Sequence, residues 1–272
     1  MKTTKRTHRF VTLVLLASFA AFGLVSCARS SSAADKDTLF QVATLQSLKL
    51  GYYDGFSTVG ELKQNGTIGI GCFEGVDGEL IMLDGTVYQA IYDGSIKTPD
   101  DSVKIPYATV SPFENDISTQ LKNIDSLETL KKQMSAIVEK NGRNLFYFVR
   151  IDGDFDSVNF RSEYVQKKPY KPLAKAMETD QTFFDLTNVS GTIVGLYCPD
   201  YMDKLNTPGW HFHFITADKK MGGHLLDAQA ATLSAQIDTT TSFKMILTED
   251  EAFQNAGLTA DLTKDIRAVE VK

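Results

Sequence analysis

The feature that most narrows what this chain can fold into is one stretch, Pro208-Gly-Trp-His-Phe-His-Phe-Ile-Thr-Ala-Asp-Lys-Lys-Met-Gly-Gly-His224. The sequence contains 4 histidines. His8 lies near the N-terminus, and the other three, His211, His213 and His224, all fall here. Phe212, Phe214 and Ile215 favour a strand. Alternate side chains of a strand share a face, so His211 and His213 point the same way, about 7 Å apart. Asp218, Lys219, Lys220 and the pair Gly222-Gly223 read as a turn. The stretch is therefore expected to be a β-hairpin whose return strand brings His224 opposite the first two. Three converging imidazoles are the open ligand set of a catalytic zinc, with a position left for water or substrate. A lone His-x-His is more commonly a polar strand face; the third histidine beyond the turn favours a ligand set. The spacing does not choose the metal, since imidazole suits Zn, Cu, Fe and Ni.

Residues 1–26 read as an export signal. Lys2, Lys5, Arg6 and Arg9 form a basic n-region, and Phe10 to Val25 is an apolar run too short and wrongly flanked for a membrane span. The run ends Leu24-Val25-Ser26-Cys27, which resembles a bacterial lipobox, so Cys27 is the expected lipidation site and mature N-terminus. Residues 27–37, with Ser30-Ser-Ser-Ala-Ala, read as a flexible tether. The expected product is exported and lipid-anchored to the bacterial membrane, with no other membrane contact. Loss of the signal removes four cations and no carboxylate, which takes the formal charge from −6 to −10. An acidic chain argues against nucleic acid or anionic lipid as the main partner. Cys72 and Cys198 are the remaining thiols; they match no Cys-x-x-Cys signature, and the sequence leaves open buried thiols or one disulfide between them.

The rest of the chain alternates short strands with a few helices. Thr67–Phe73, Gly78–Leu83 and Thr86–Tyr92, joined by Asp-Gly turns, describe an antiparallel meander. Glu79 opens the second of these strands. Leu45–Leu50 reads as a short helix, Lys104–Val110 as a strand that Pro106 assigns to an edge, and Ser126–Lys140 as the clearest helix. In that helix Leu127, Leu130, Met134, Ile137 and Val138 form one stripe, Asp125 or Ser126 caps the start and Asn141-Gly142 ends it. Asn144–Ile151 is an apolar strand followed by a turn at Asp152-Gly-Asp154. On Val158–Val165, Asn159, Arg161 and Glu163 share the face opposite Val158 and Phe160. Strand candidates at Thr192–Tyr197, Ala231–Ile237, Phe243–Leu247 and Arg267–Val271 follow. Strands and helices that do not alternate strictly indicate an α+β fold. We expect two regions of curved mixed or antiparallel sheet, 38–142 and 143–272, with the metal site on a β-hairpin of the C-terminal half.

Six motifs in order resemble the bacterial α-acetolactate decarboxylases. They are Gly69-Ile-Gly-Cys-Phe with Asp77-Gly-Glu-Leu, Arg150-Ile-Asp-Gly followed by Val158-x-x-Arg161, Gln166-x-x-Pro169-Tyr170, Gly191-Thr-x-Val-Gly195, Asn206-x-Pro-Gly-x-His-x-His-Phe214, and Gly222-Gly-His224. The likeness runs from about Thr38 to the C-terminus. It implies two mixed α/β regions with curved sheets, a dimer as often found in the family, and one Zn²⁺ held by His211, His213 and His224. It also implies a glutamate near the metal at Glu79, a second carboxylate from the C-terminal tail at Glu270, and a substrate arginine that matches Arg161 better than Arg150. The family usually has threonine where this chain has Cys72, which replaces a hydroxyl by a weaker donor.

The implied reaction is decarboxylation of 2-acetolactate to acetoin and CO₂. The electrons left behind form an enediolate, a charge that a divalent cation stabilises as a Lewis acid. An acid side chain, Glu79 or Glu270, then protonates it. Two other readings have different consequences. Pro-Gly-Trp-His-Phe-His superficially resembles the first half of a cupin motif, but no glutamate follows within a few residues; a CO₂-hydrating enzyme would use similar ligands without these flanking motifs. An exported zinc-binding lipoprotein without catalysis fits the N-terminal signal, but the chain lacks the His-rich acidic loops such binders carry.

Overall fold

A computed structural model of the chain describes residues 36–262. The export signal, Cys27, the strand expected at Arg267–Val271 and Glu270 lie outside the described residues. In chain order the elements are β1 (Thr38–Val42), α1 (Leu45–Lys49), β2 (Ser57–Thr58), α2 (Val59–Asn65), β3 (Ile68–Cys72), β4 (Glu79–Leu83), β5 (Thr86–Ala90), β6 (Ile96–Lys97), β7 (Lys104–Ile105) and β8 (Tyr107–Ser111). There follow β9 (Ile117–Ile124), α3 (Leu127–Asn141), β10 (Phe146–Glu163), α4 (Leu173–Ala176), β11 (Gln181–Cys198), β12 (Gly209–Thr216), β13 (Gly222–Thr240), β14 (Ser242–Ile246) and α5 (Glu251–Gln254). The fold is α+β, as the pattern of elements indicated.

Two sheets carry the architecture. The first has the order β14-β1-β8-β3-β4-β5-β6, and β3, β4 and β5 form the expected antiparallel meander within it. In the second, β10 pairs with β11, β11 with β12, β12 with β13, and β13 again with β10, so the pairings close on themselves; β9 adds to β13. Closure removes edges that would otherwise need protection. The sheets exchange strands: β9 joins the C-terminal strands, and β14 pairs in parallel with β1.

Side-chain alternation sorts three layers. Phe155, Phe160, Phe212, Phe214, Leu225 and Leu233 fill the closed sheet, and α3 contributes Leu130, Met134 and Val138 to the same core. Ser126 caps α3 by accepting from the Thr129 amide at 3.2 Å. Ile70, Ile81 and Leu83 of the first sheet meet Phe148, Val194, Leu196 and Ile215 of the second. The far face of the first sheet buries Leu80, Met82 and Val110 against Val59 and Leu62 of α2. Residues 79, 81 and 83 of β4 therefore look toward the second sheet, and residues 211, 213 and 215 of β12 look back toward the first.

Three local expectations are corrected. No turn forms at Asp152-Gly-Asp154: β10 runs straight through, because Asp152 and Gly153 are held by β11 on one side and β13 on the other. Pro106 does not mark an edge strand. It falls between β7 and β8, and β8 lies inside the first sheet between β1 and β3. Gly222 and Gly223 belong to β13 rather than to the hairpin turn, which lies just before them. Cys72 and Cys198 are both buried and free, which closes the question of a disulfide.

Candidate active site

The histidine hairpin forms, and the register sets its chemistry. His213 pairs with His224 across β12 and β13, and His224 pairs with Arg161 across β13 and β10. Directly opposed residues of neighbouring strands point to one face, so His213, His224 and Arg161 form a row facing the first sheet. Gly223 makes the close approach possible: a Cβ there would meet the Arg161 carbonyl oxygen at 2.2 Å. His211, two residues before His213, completes the cluster. Its Nε2 lies 3.0 Å from His224 Nδ1 and 3.3 Å from His213 Nε2. One nitrogen from each ring lies within 4.8 Å of the others.

These spacings suit a metal. Nitrogens about 2.0–2.1 Å from a tetrahedral zinc stand roughly 3.3 Å apart. The protonation state suits it as well. Burial, followed by the charges of Lys131, Arg161 and Lys49, pushes His211 down to about 3. Burial also holds His213 and His224 well below the usual imidazole range, with Arg161 and the neighbouring rings adding to it. Neutral imidazoles are the ligating form. His213 Nδ1 is 2.9 Å from the Leu80 carbonyl. A carbonyl only accepts, so Nδ1 carries the proton and Nε2 keeps its lone pair for the cluster.

The first sheet supplies the opposite wall. Glu79 begins β4 after Gly78, whose φ is +76° and whose missing side chain leaves room for the Ala90 carbonyl. That turn brings Glu79 Oε2 to 3.4 Å from His213 Nε2 and Glu79 Oε1 to 3.7 Å from Arg161 Nη1. Arg161 also donates to Glu163 Oε1. All three charged side chains are buried. Together with the histidines they line one cavity of about 60 Å³ between the sheets, whose other walls include Cys72, Tyr107, Asn206 and Met177. Burial, then the Glu79 and Glu163 charges, pushes the Cys72 thiol up, so it stays neutral.

Of the residues singled out in the sequence, the fold brings His211, His213, His224, Glu79 and Arg161 together. Glu270 is outside the described residues. Arg150 lies elsewhere: it pairs with Asp152 at 2.6 Å and Asp84 at 2.9 Å and does not line the cavity. Sequence reasoning gave no role to Glu163 or Asn206. The signal for Glu163 was its shared face with Arg161, two residues earlier. Asn206 is buried by bonds from its Nδ2 to Gln41 and Thr109, contacts no local pattern discloses.

Three neutral nitrogen donors at ligating distances, with a buried arginine and two carboxylates around the same cavity, make a site of the kind that could hold a metal ion beside a small polar molecule. Comparison with known proteins is more specific. The sequence matches the alpha-acetolactate decarboxylase family over residues 39–260. An alpha-acetolactate decarboxylase of Methanosarcina mazei is 41% identical over 234 residues, covering 86% of this chain and 80% of that protein. The enzyme of that name from Bacillus subtilis strain 168 is 34% identical over 233 residues, covering 85% and 90%. A crystal structure of alpha-acetolactate decarboxylase from the same strain has a TM-score of 0.82 and covers 86% of this chain and 100% of that one. This chain belongs to the alpha-acetolactate decarboxylase family, a family of carboxy-lyases.

Proposed function

We propose that this protein converts 2-acetolactate to acetoin and carbon dioxide, using Zn²⁺ held by His211, His213 and His224. The observation that carries the reading is the convergence of those three neutral rings beside Arg161 and Glu79, in a chain of this family. When bound there, the cation supplies Lewis acidity where negative charge builds as carbon dioxide leaves.

The chain's own groups do the rest. Arg161 orients the substrate carboxylate with its planar fork. The carboxylates of Glu79 and Glu163 beside it temper that grip, which suits a group that must depart. Glu79 stands at the cluster and, in its protonated form, is one candidate acid for the enediolate carbon. Glu270, from the C-terminal tail, is the other candidate for that role or for a metal ligand. Cys72 presents a neutral thiol where the family usually has threonine, a weaker donor toward substrate. Export through residues 1–26, lipidation at Cys27 and a homodimer complete the proposal. The first two are supported by the basic n-region and the lipobox-like Leu24-Val-Ser-Cys27, the last by family resemblance.

The test supplies racemic acetolactate to the purified zinc-loaded protein and measures carbon dioxide and acetoin, with and without a chelator. Turnover that a chelator stops and zinc restores is expected, and His213→Ala should lose metal and turnover together. Tight zinc binding with no acetoin formed would replace this reading by that of an exported zinc-binding lipoprotein.

A further inference from the structure

Glu163 is the one cavity carboxylate to which the mechanism above gives no direct contact. Its Oε1 is occupied by Arg161. Its Oε2 is buried and has no hydrogen-bond partner among the described residues, although the side chain lines the cavity shared by Arg161 and the histidines and the residue is only 3% exposed. A buried acceptor without a donor is destabilising, and native structures keep such groups where a ligand or water completes them. An ionised carboxylate accepts and does not donate. Oε2 therefore calls for an O–H or N–H entering the cavity next to whatever Arg161 holds.

Arg161 offers donors, and Glu163 an acceptor, side by side on the same face of β10. A 2-hydroxy acid carries the matching pair: an anionic acceptor and a hydroxyl donor on adjacent carbons. We propose that Glu163 is a specificity-determining residue whose free oxygen accepts a hydrogen bond from the hydroxyl of a 2-hydroxy acid while Arg161 holds its carboxylate. The inference deepens the decarboxylase reading and rests on it for the identity of the substrate. An acid of the same shape without the hydroxyl leaves that oxygen buried and unpaired, and sites built this way reject the lacking analogue strongly.

The experiment uses the zinc-loaded full chain and two acids that cannot react, 2-hydroxyisobutyrate and pivalate, which differ by a hydroxyl in place of a methyl. Calorimetry measures both affinities in the wild type, Glu163→Val and Glu163→Gln. The wild type should prefer the hydroxy acid by roughly tenfold or more, the scale of a hydrogen bond to a charged group. Glu163→Val should bring the ratio to within about threefold, and Glu163→Gln, which keeps an acceptor but no charge, should fall between. Any preference supplied by the metal is common to all three proteins, so the change in ratio isolates Glu163. An unchanged ratio in the variants, or no preference in the wild type, overturns the inference. If circular dichroism shows that Glu163→Val does not fold, Glu163→Gln decides alone, through a fall in the ratio or its absence. A preference that depends on Glu163 in a protein forming no acetoin would overturn the decarboxylase reading and leave the inference standing. Acetoin formed by a protein whose preference ignores Glu163 would do the reverse.

Discussion

β10 carries two arginines in the same local arrangement, and they have opposite fates. Arg150-Ile-Asp152 and Arg161-Ser-Glu163 each place a carboxylate two residues after the guanidinium, on the same strand face. Each arginine also meets a second carboxylate from the turn or strand around β4: Asp84 for Arg150 and Glu79 for Arg161. The difference is water. The Arg150 side chain is 29% exposed and Asp84 72%, whereas Arg161 is 5% exposed and Glu79 9%. Exposed pairs are screened and contribute little. A buried cluster keeps its field, and removing one member leaves uncompensated charge. The same residue pattern is thus a surface ion pair at one end of the strand and part of a binding site at the other.

Substitutions test that contrast. The largest effect is expected at Glu79, where Glu79→Gln should keep zinc, measured by metal analysis, and lose on the order of 100-fold or more in kcat. Near-normal turnover would remove Glu79 from the chemistry. Arg161→Met should lower kcat/KM for acetolactate by roughly 100-fold, the scale of a buried charge-assisted contact. Its counterpart Arg150→Met should leave kcat/KM within about twofold and cost no more than about 1 kcal/mol in denaturant unfolding. Equal losses in the two variants would mean that burial does not divide them.

A smaller effect concerns a carboxylate buried outside the site. Asp238 is 1% exposed, and neither of its oxygens has a hydrogen-bond partner among the described residues. Burial first, then the Asp116 charge, pushes its carboxyl up to about 7. Between about pH 4, where an unfolded aspartate ionises, and about pH 7, the folded state keeps a proton that the unfolded state has lost. Stability should therefore decline as pH rises through that window. Asp238→Asn should remove this decline and raise Tm at pH 7.5 by roughly 3 °C or more, with little change at pH 4.5. The comparison is between variant and wild type at each pH, which cancels acid effects on the histidines. Parallel pH curves for the two proteins would refute the assignment.

Local pattern alone was enough for several features. A period of two placed His211 and His213 on one face, and the hairpin followed from the flanking aromatics and the turn residues; the meander and α3 were legible for the same reason. The sequence also disclosed that Arg161 and Glu163 share a face. It did not disclose that β10 continues through Asp152-Gly-Asp154, because a turn-forming triplet is overridden when strands pair with it on both sides. Nor could it choose between Arg150 and Arg161 without family resemblance, since their neighbours are alike. Only the packing of the first sheet on the closed second one decided that Glu79 stands over His213, 134 positions away in the chain. Only that packing withdrew Arg161, Glu163, His213 and His224 from water. Alternation and turn chemistry act over a few residues, whereas solvent exclusion and the resulting charge states depend on which distant surfaces meet.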